Sequence, residues 1–190
     1  KEAGYRVGRY ISPTIFDYRE RIQVNEEYIT REGVARLAGQ VREACEQMVQ
    51  DGFSHPTTFE VETAMAFLWF REMHCDVVVL ECGMGGLTDA TNVVRTTLVS
   101  VFSEIGLDHM AAAVSAVQRP EARKVLENVC REKGAEFQEL RKEELQDIKY
   151  GFENQSFTYK GIKNLKPGLL GSWQIDNAAL AVEAVTALGS

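Results

Sequence analysis

No stretch of this sequence clusters lysine and arginine, and its formal charge is -7. A phosphate backbone is gripped through such clusters, so the balance argues against a nucleic-acid partner. Long apolar runs are missing too. None approaches the roughly 20 residues that cross a bilayer, so no membrane segment is expected. Cysteine is scarce and unpaired in pattern: Cys45, Cys75, Cys82 and Cys130 lie at irregular spacings inside apolar runs. That usage suits buried free thiols in a reducing compartment and predicts a cytoplasmic protein. There is no internal repeat and no low-complexity tract. The opening Lys1-Glu2-Ala3-Gly4 has no signal-peptide character and reads as the interior of a domain.

What is present is the make-up of an ordinary globular domain. Of 190 residues, 45% are hydrophobic and 26% charged, enough to bury one sizeable core. Tyr5 to Ile11 predicts a short strand that leaves into a loop at Ser12-Pro13, because proline restricts the residue before it and lacks an N–H. Thr30 is placed to cap a helix whose Val34, Leu37, Ala38, Val41, Cys45 and Met48 recur at helical spacing. Thr57 and Glu60 have capping-box spacing, which opens a largely apolar helix to about Met73.

Asp76 to Glu81 is rich in β-branched residues without alternation, as in a central parallel strand covered on both faces. Leu98 to Phe102 reads as a second such strand. Val114 to Val117 reads as another, and Arg119 to Lys133 as an amphipathic helix closed by Gly134. Glu136 to Leu140 follows as a strand, Ser156 to Tyr159 as a peripheral one. Gln174 to Leu188 predicts a closing helix with Ala178, Ala181, Val182 and Val185 inward. The alternation favours an α/β sheet with crossover helices. Met110 to Ala113 is too short a link between parallel strands, so a connecting element is expected to be missing there.

Glu81 falls at the carboxyl end of a predicted strand, the edge where open α/β sheets place ligands, and Gly83-Met84-Gly85-Gly86 follows at once. Such glycines let backbone approach a ligand, and a carboxylate there can hold a hard cation. The same stretch also fits a tight turn beside a solvated glutamate. A dinucleotide fingerprint fits less well, because its third glycine is absent. Gly106-Leu107-Asp108-His109 ends the next strand and would bring an imidazole to the same edge, with Asp108 as its orienting partner. His55 and His74 have no such setting and are read as structural.

Taken together, Thr58-Phe59-Glu60, Thr63 to Phe67, Val79 to Gly86, Asp89 to Asn92 and Gly106 to His109 resemble the central domain of folylpolyglutamate and dihydrofolate synthases, of the Mur ligase family. Tyr10 to Pro13 with Arg19 to Ile22 is similar to that family's substrate loop, and Gly171 to Ala178 to its segment near the adenine. The resemblance implies a P-loop-NTPase-like α/β domain with a mostly parallel sheet and flanking helices, spanning residues 1–190 and incomplete. It implies a monomeric ligase dependent on ATP and Mg2+, which joins L-glutamate to folate or dihydropteroate through an acyl phosphate. Glu81 and His109 would hold magnesium, and Asn177 the adenine edge. Ser12, Pro13, Thr58, Phe59 and Asp89 would line the folate pocket, with Phe59 stacking on the flat ring and Asp89 accepting its amino protons. Phe59 also reads as a core aromatic at a helix start, Asn177 as an early-helix polar residue, and Thr58 as packing alone.

The sequence departs from the family pattern in several places. No G-x-x-x-x-G-K-[ST] occurs in it, Met110 and three alanines stand where the family's modified lysine is expected, Thr14 follows Ser-Pro, and Trp173 precedes Gln174. A phosphate loop is therefore expected before Lys1, and a C-terminal domain after Leu188. Without them the chain alone is expected to be inactive. Two other readings stay open: a folate- or nucleotide-binding relative without catalysis, and a Mur ligase acting on peptidoglycan precursors.

Overall fold

A computed structural model describes residues 2–103, 114–151 and 153–188. The chain divides into two compact units, Lys1–Met84 with Thr88–Val93, and Gly85–Leu87 with Val94–Ser190. Each has its own apolar cluster, where bulk composition pointed to a single core.

In the first unit, β1 (Val7–Tyr10), β2 (Ile22–Val24) and β3 (Glu27–Tyr28) precede two helices, α1 (Arg31–Gln50) and α2 (Thr58–Glu72), and then β4 (Val77–Leu80). The sheet order is β3-β2-β1-β4, with β1 and β4 parallel and the other pairs antiparallel. The parallel pair is possible because α1 and α2 supply the crossover. Thr30 and Thr57 cap them as expected: Thr30 Oγ1 accepts from Gly33 N at 2.9 Å, and Thr57 N donates to Glu60 Oε2 at 2.7 Å. Leu37, Val41 and Cys45 of α1 pack with Met65, Ala66 and Phe70 of α2 and with Tyr10 and Ile22. Each large apolar side chain so buried contributes about 1.5–3 kcal/mol. Met48, assigned to the same stripe, is exposed at the far end of α1.

In the second unit, β5 (Val101–Phe102), β6 (Val114–Ser115) and β7 (Gln138–Glu139) form a parallel sheet, with α3 (Pro120–Lys133) between β6 and β7. Gly134 closes α3 at φ +64°, the left-handed conformation its position predicts. β8 (Leu145–Tyr150), β9 (Gln155–Tyr159) and β10 (Ile162–Leu165) form a separate antiparallel sheet in the order β10-β9-β8. α4 (Ser172–Leu188) packs Ile175 and Ala179 against Phe157 and Tyr159 of β9.

Three sheets therefore stand where one mostly parallel sheet was expected. The antiparallel pairs β2–β3 and β9–β10 have a local cause: Asn25 and Glu26 both take positive φ (51° and 74°), as do Lys160 and Gly161 (48° and 76°). Two such residues in succession make the tight reversal that twisted antiparallel strands need. β9 is consequently central in its sheet and buried, not peripheral. β4 departs from expectation as well, since it ends its sheet and leaves Val79 55% exposed. The second predicted strand shrinks to two residues, with Leu98 exposed outside it. On α4 the buried residues are Ile175, Ala179, Leu180, Glu183 and Ala184; Ala178 and Val182 pack beside them as expected, whereas Ala181 and Val185 are exposed. The run of small apolar residues there permits more than one helical stripe, and β9 selects among them. Among the described residues, no helix is long and apolar enough to cross a membrane.

Candidate functional site

The parallel pairing of β1 and β4 sets Tyr10 opposite Leu80, so the two chains leave the sheet side by side at their carboxyl ends. One more ladder bond follows, Glu81 N to Tyr10 O at 2.9 Å. The Glu81 side chain then turns toward β1's exit, and its Oε2 accepts from Ser12 N at 2.8 Å. Two candidates drawn from distant parts of the sequence thus touch directly. Pro13 follows, exposed, across a cis peptide bond. Glu81 Oε1 has no hydrogen-bond partner among the described residues, and the side chain is open to solvent.

The loop beyond Pro13 is held from within. Glu20 accepts from the amides of Ile15, Phe16 and Asp17 at 2.8, 3.0 and 2.9 Å, while Asp17 caps the short turn Tyr18–Arg21. The Ile15 amide foremost, joined by those of Asp17 and Phe16, keeps the Glu20 carboxyl below its ordinary pKa although desolvation acts the other way. The Arg19 guanidinium and amide lower Asp17 to about 2. Arg21 Nη1 reaches Glu62 Oε2 of α2 at 3.1 Å, which ties this turn to the helix. The Asp17-x-x-Glu20 spacing is the signal that could have revealed the clasp.

α2 begins beneath the same edge. Thr58 is exposed in its first turn, and Phe59 is half-buried, its ring 5.8 Å from that of Tyr10. Phe59 lies so close to the glycine turn that a Cβ added to Gly83 would meet the ring at 2.7 Å. Thr63 donates to Phe59 O at 2.7 Å and lies 3.1 Å from the Tyr10 hydroxyl. Phe59 therefore serves the core and also abuts the turn.

Asp89 is 8% exposed, and its carboxylate is fully engaged. Oδ2 accepts from Gly83 N and Met84 N, both at 2.9 Å; Oδ1 accepts from Thr91 N at 2.8 Å and from its hydroxyl at 2.6 Å. Four donors match the four lone-pair sites of a carboxylate. Burial by itself would raise the Asp89 pKa, but the Thr91 hydroxyl and the amides of Met84, Thr91 and Gly83 outweigh it and hold the group charged. Thr91, itself buried, was not singled out from the sequence; its hydroxyl two residues after an aspartate was the available clue.

Ser12, Glu81, Phe59 and Asp89 thus surround one strand-end turn in the first unit. Asn177 belongs to the second unit and is exposed on the sixth residue of α4. His109 and Asp108 lie outside the described residues. Among those that are described, no three His, Cys, Asp or Glu side chains gather into a metal-binding group. One exposed carboxylate with an open oxygen fits magnesium better than a protein-caged ion, because magnesium keeps several waters and takes few protein ligands beside phosphate oxygens.

No family model matches the chain. It is 35% identical over 97% of its length to a dihydrofolate synthase/folylpolyglutamate synthase of Bacillus subtilis, covering 49% of that protein. A solved folylpolyglutamate synthase–AMPPCP–folate complex is 29% identical, with a TM-score of 0.88 over 98% of this chain and 52% of the other. The folylpolyglutamate synthase of Thermotoga maritima is 33% identical, with a TM-score of 0.83 over 98% and 48%. The chain spans about half the length of these relatives. A likeness that runs nearly end to end, in sequence and in backbone, makes it a homologue of the folylpolyglutamate and dihydrofolate synthases and a member of their family.

Proposed function

We propose that the polypeptide carrying this chain is an ATP- and magnesium-dependent ligase that adds L-glutamate to folate or dihydropteroate. The observation that supports this most is the contact of Glu81 with Ser12 at the ends of β1 and β4, in a chain similar to a synthase solved with AMPPCP and folate. A carboxylate is a poor acyl donor until one of its oxygens becomes a phosphate leaving group. In this reading the substrate carboxylate attacks the γ-phosphorus of ATP, ADP departs, and an acyl phosphate forms. The glutamate amine attacks the acyl carbon, loses a proton, and expels phosphate to leave the amide.

Magnesium, when bound, neutralises charge on the phosphates. Glu81 and His109 are the residues that would hold it. Glu81 Oε2, by accepting from Ser12 N, keeps the substrate loop beside the strand end. Ser12, Pro13, Thr58 and Phe59 would line the folate pocket, and Asn177 would meet the adenine edge. Asp89 serves the pocket by shaping the Gly83-Met84 turn, since its lone pairs are already spent there. Residues 1–190 would form the nucleotide-binding domain of this ligase, acting with the phosphate loop and glutamate-binding domain of the whole protein. The test is glutamate- and folate-dependent ATP hydrolysis by the complete polypeptide. Turnover that requires both co-substrates supports the reading, and hydrolysis indifferent to both contradicts it.

A further inference from the structure

Strand β9 turns Gln155, Phe157 and Tyr159 to one face, as residues two apart must be, and all three are buried. The centre of that face is apolar and packs on Ile175 and Ala179 of α4. Its two ends are polar. At one end Gln155, 2% exposed, donates through Nε2 to the carbonyls of Leu169 and Gly171, both at 3.0 Å. Its Oε1 accepts from Gly171 N at 3.2 Å. At the other end the Tyr159 hydroxyl donates to Glu183 Oε1 at 2.5 Å, and Lys160 Nζ donates to Glu183 Oε2 at 2.7 Å. Burial first, and then the Glu183 carboxylate, push the Tyr159 phenol above its ordinary pKa, so it stays a donor.

Apolar contacts fall off gradually when a helix shifts on a sheet, whereas a polar contact at each end is lost once its geometry is broken. One residue of slip turns a helix by about 100°. Apart from Ile175 and Leu180, the residues of α4 on this side are small (Ala178, Ala179, Ala184), so apolar packing defines the register only in part, and Gln155 and Glu183 add polar anchors. Asn177 stands between these two anchors, about 9 Å along the axis from Glu183. An amide side chain reads a purine edge only when its rotation is fixed, because its oxygen and nitrogen ends favour opposite bases.

We infer that Gln155 is a positioning residue that sets the register of α4, so that Asn177 discriminates adenine from guanine. This rests on the reading of Asn177 as the adenine-contacting group. Gln155 touches no substrate and acts only through the Leu169–Gly171 segment and the helix that follows.

The experiment compares kcat/KM for ATP and GTP in the complete polypeptide, for the parent, Gln155→Met, Asn177→Ala and the double variant. The expected result is a roughly tenfold fall in the ATP/GTP ratio for Gln155→Met, with the KM for folate unchanged. The double variant should lose no more discrimination than Asn177→Ala alone. Hydrogen exchange at the Gly171 amide should accelerate in Gln155→Met. Should that variant fail to fold, Gly171→Ala perturbs the same segment: Gly171 has φ +127°, and a Cβ there meets nothing closer than Gln174 Cγ at 4.0 Å. Its ATP/GTP ratio should fall in the same way. A folded Gln155→Met or Gly171→Ala protein with the parent ratio, beside an Asn177→Ala protein that has lost it, overturns the inference and leaves the nucleotide reading standing. An Asn177→Ala protein with the parent ratio overturns that reading and the inference with it.

Discussion

Glu81 and Asp89 flank one glycine turn and share one chemistry, yet their surroundings are opposite. Asp89 is buried with four donors on its two oxygens. Glu81 is open to solvent, and among the described residues its side chain accepts one bond, from Ser12 N. The first carboxylate is consumed by the fold and builds the turn. The second retains acceptor capacity and is open to solvent, and in the proposed function it is the one that would hold a cation. Residue type alone therefore does not distinguish a structural acid from a chemical one; the number of donors already satisfied does.

Four substitutions sharpen that contrast, the largest effect first. Glu81→Ala should lower glutamate-dependent ATP turnover of the complete polypeptide by roughly 100-fold or more, while thermal unfolding stays where it was. Asp89→Asn should behave the other way. It removes the charge that the Gly83, Met84 and Thr91 donors complement, and should cost about 1–3 kcal/mol in denaturant unfolding. Its pH dependence follows from the lowered folded pKa. The stabilisation is present above the unfolded value near ~4 and is lost as pH falls through the folded value. Asp89→Asn should accordingly flatten the acid limb of the stability profile, and an unchanged limb would speak against the stabilising role of the Gly83, Met84 and Thr91 donors on Asp89.

Gly83→Ala would force a Cβ against the Phe59 ring at 2.7 Å. A loss of about 1–2 kcal/mol is expected, smaller when Phe59→Leu is present, as a double-mutant cycle would read out. Thr57→Ala removes the cap of α2 and should cost about 1 kcal/mol, with turnover little changed.

The sequence made the strand-end site legible because its signals are local and chemically specific. Glu81 before Gly83-Met84-Gly85-Gly86 marks a strand end, and Thr57 with Glu60 marks a helix start; both occur where expected. The stripe Leu37, Val41 and Cys45 identified the buried face of α1 for the same reason. What stayed hidden depends on partners distant in sequence. The hairpins at Asn25-Glu26 and Lys160-Gly161 lack the Asn-Gly signature that announces such turns. The outward Val78 and Val79 of β4 look identical to core valines until the sheet order is known. Gln155, between Asn154 and Ser156, reads as loop until β9 is paired on both sides. The inward face of α4 was half legible: Ala178 and Val182 pack against the β9 cluster as expected, while Ala181 and Val185 are exposed, because alanines and valines encircle that helix.

The central claim is that Glu81 keeps an oxygen available for a cation. Manganese, a paramagnetic substitute for magnesium, can be titrated by electron paramagnetic resonance into the nucleotide-loaded complete polypeptide and its Glu81→Gln variant. The account predicts that the variant binds the ion at least roughly tenfold more weakly, with nucleotide affinity measured without metal unchanged. Equal manganese affinity in the two proteins would contradict it.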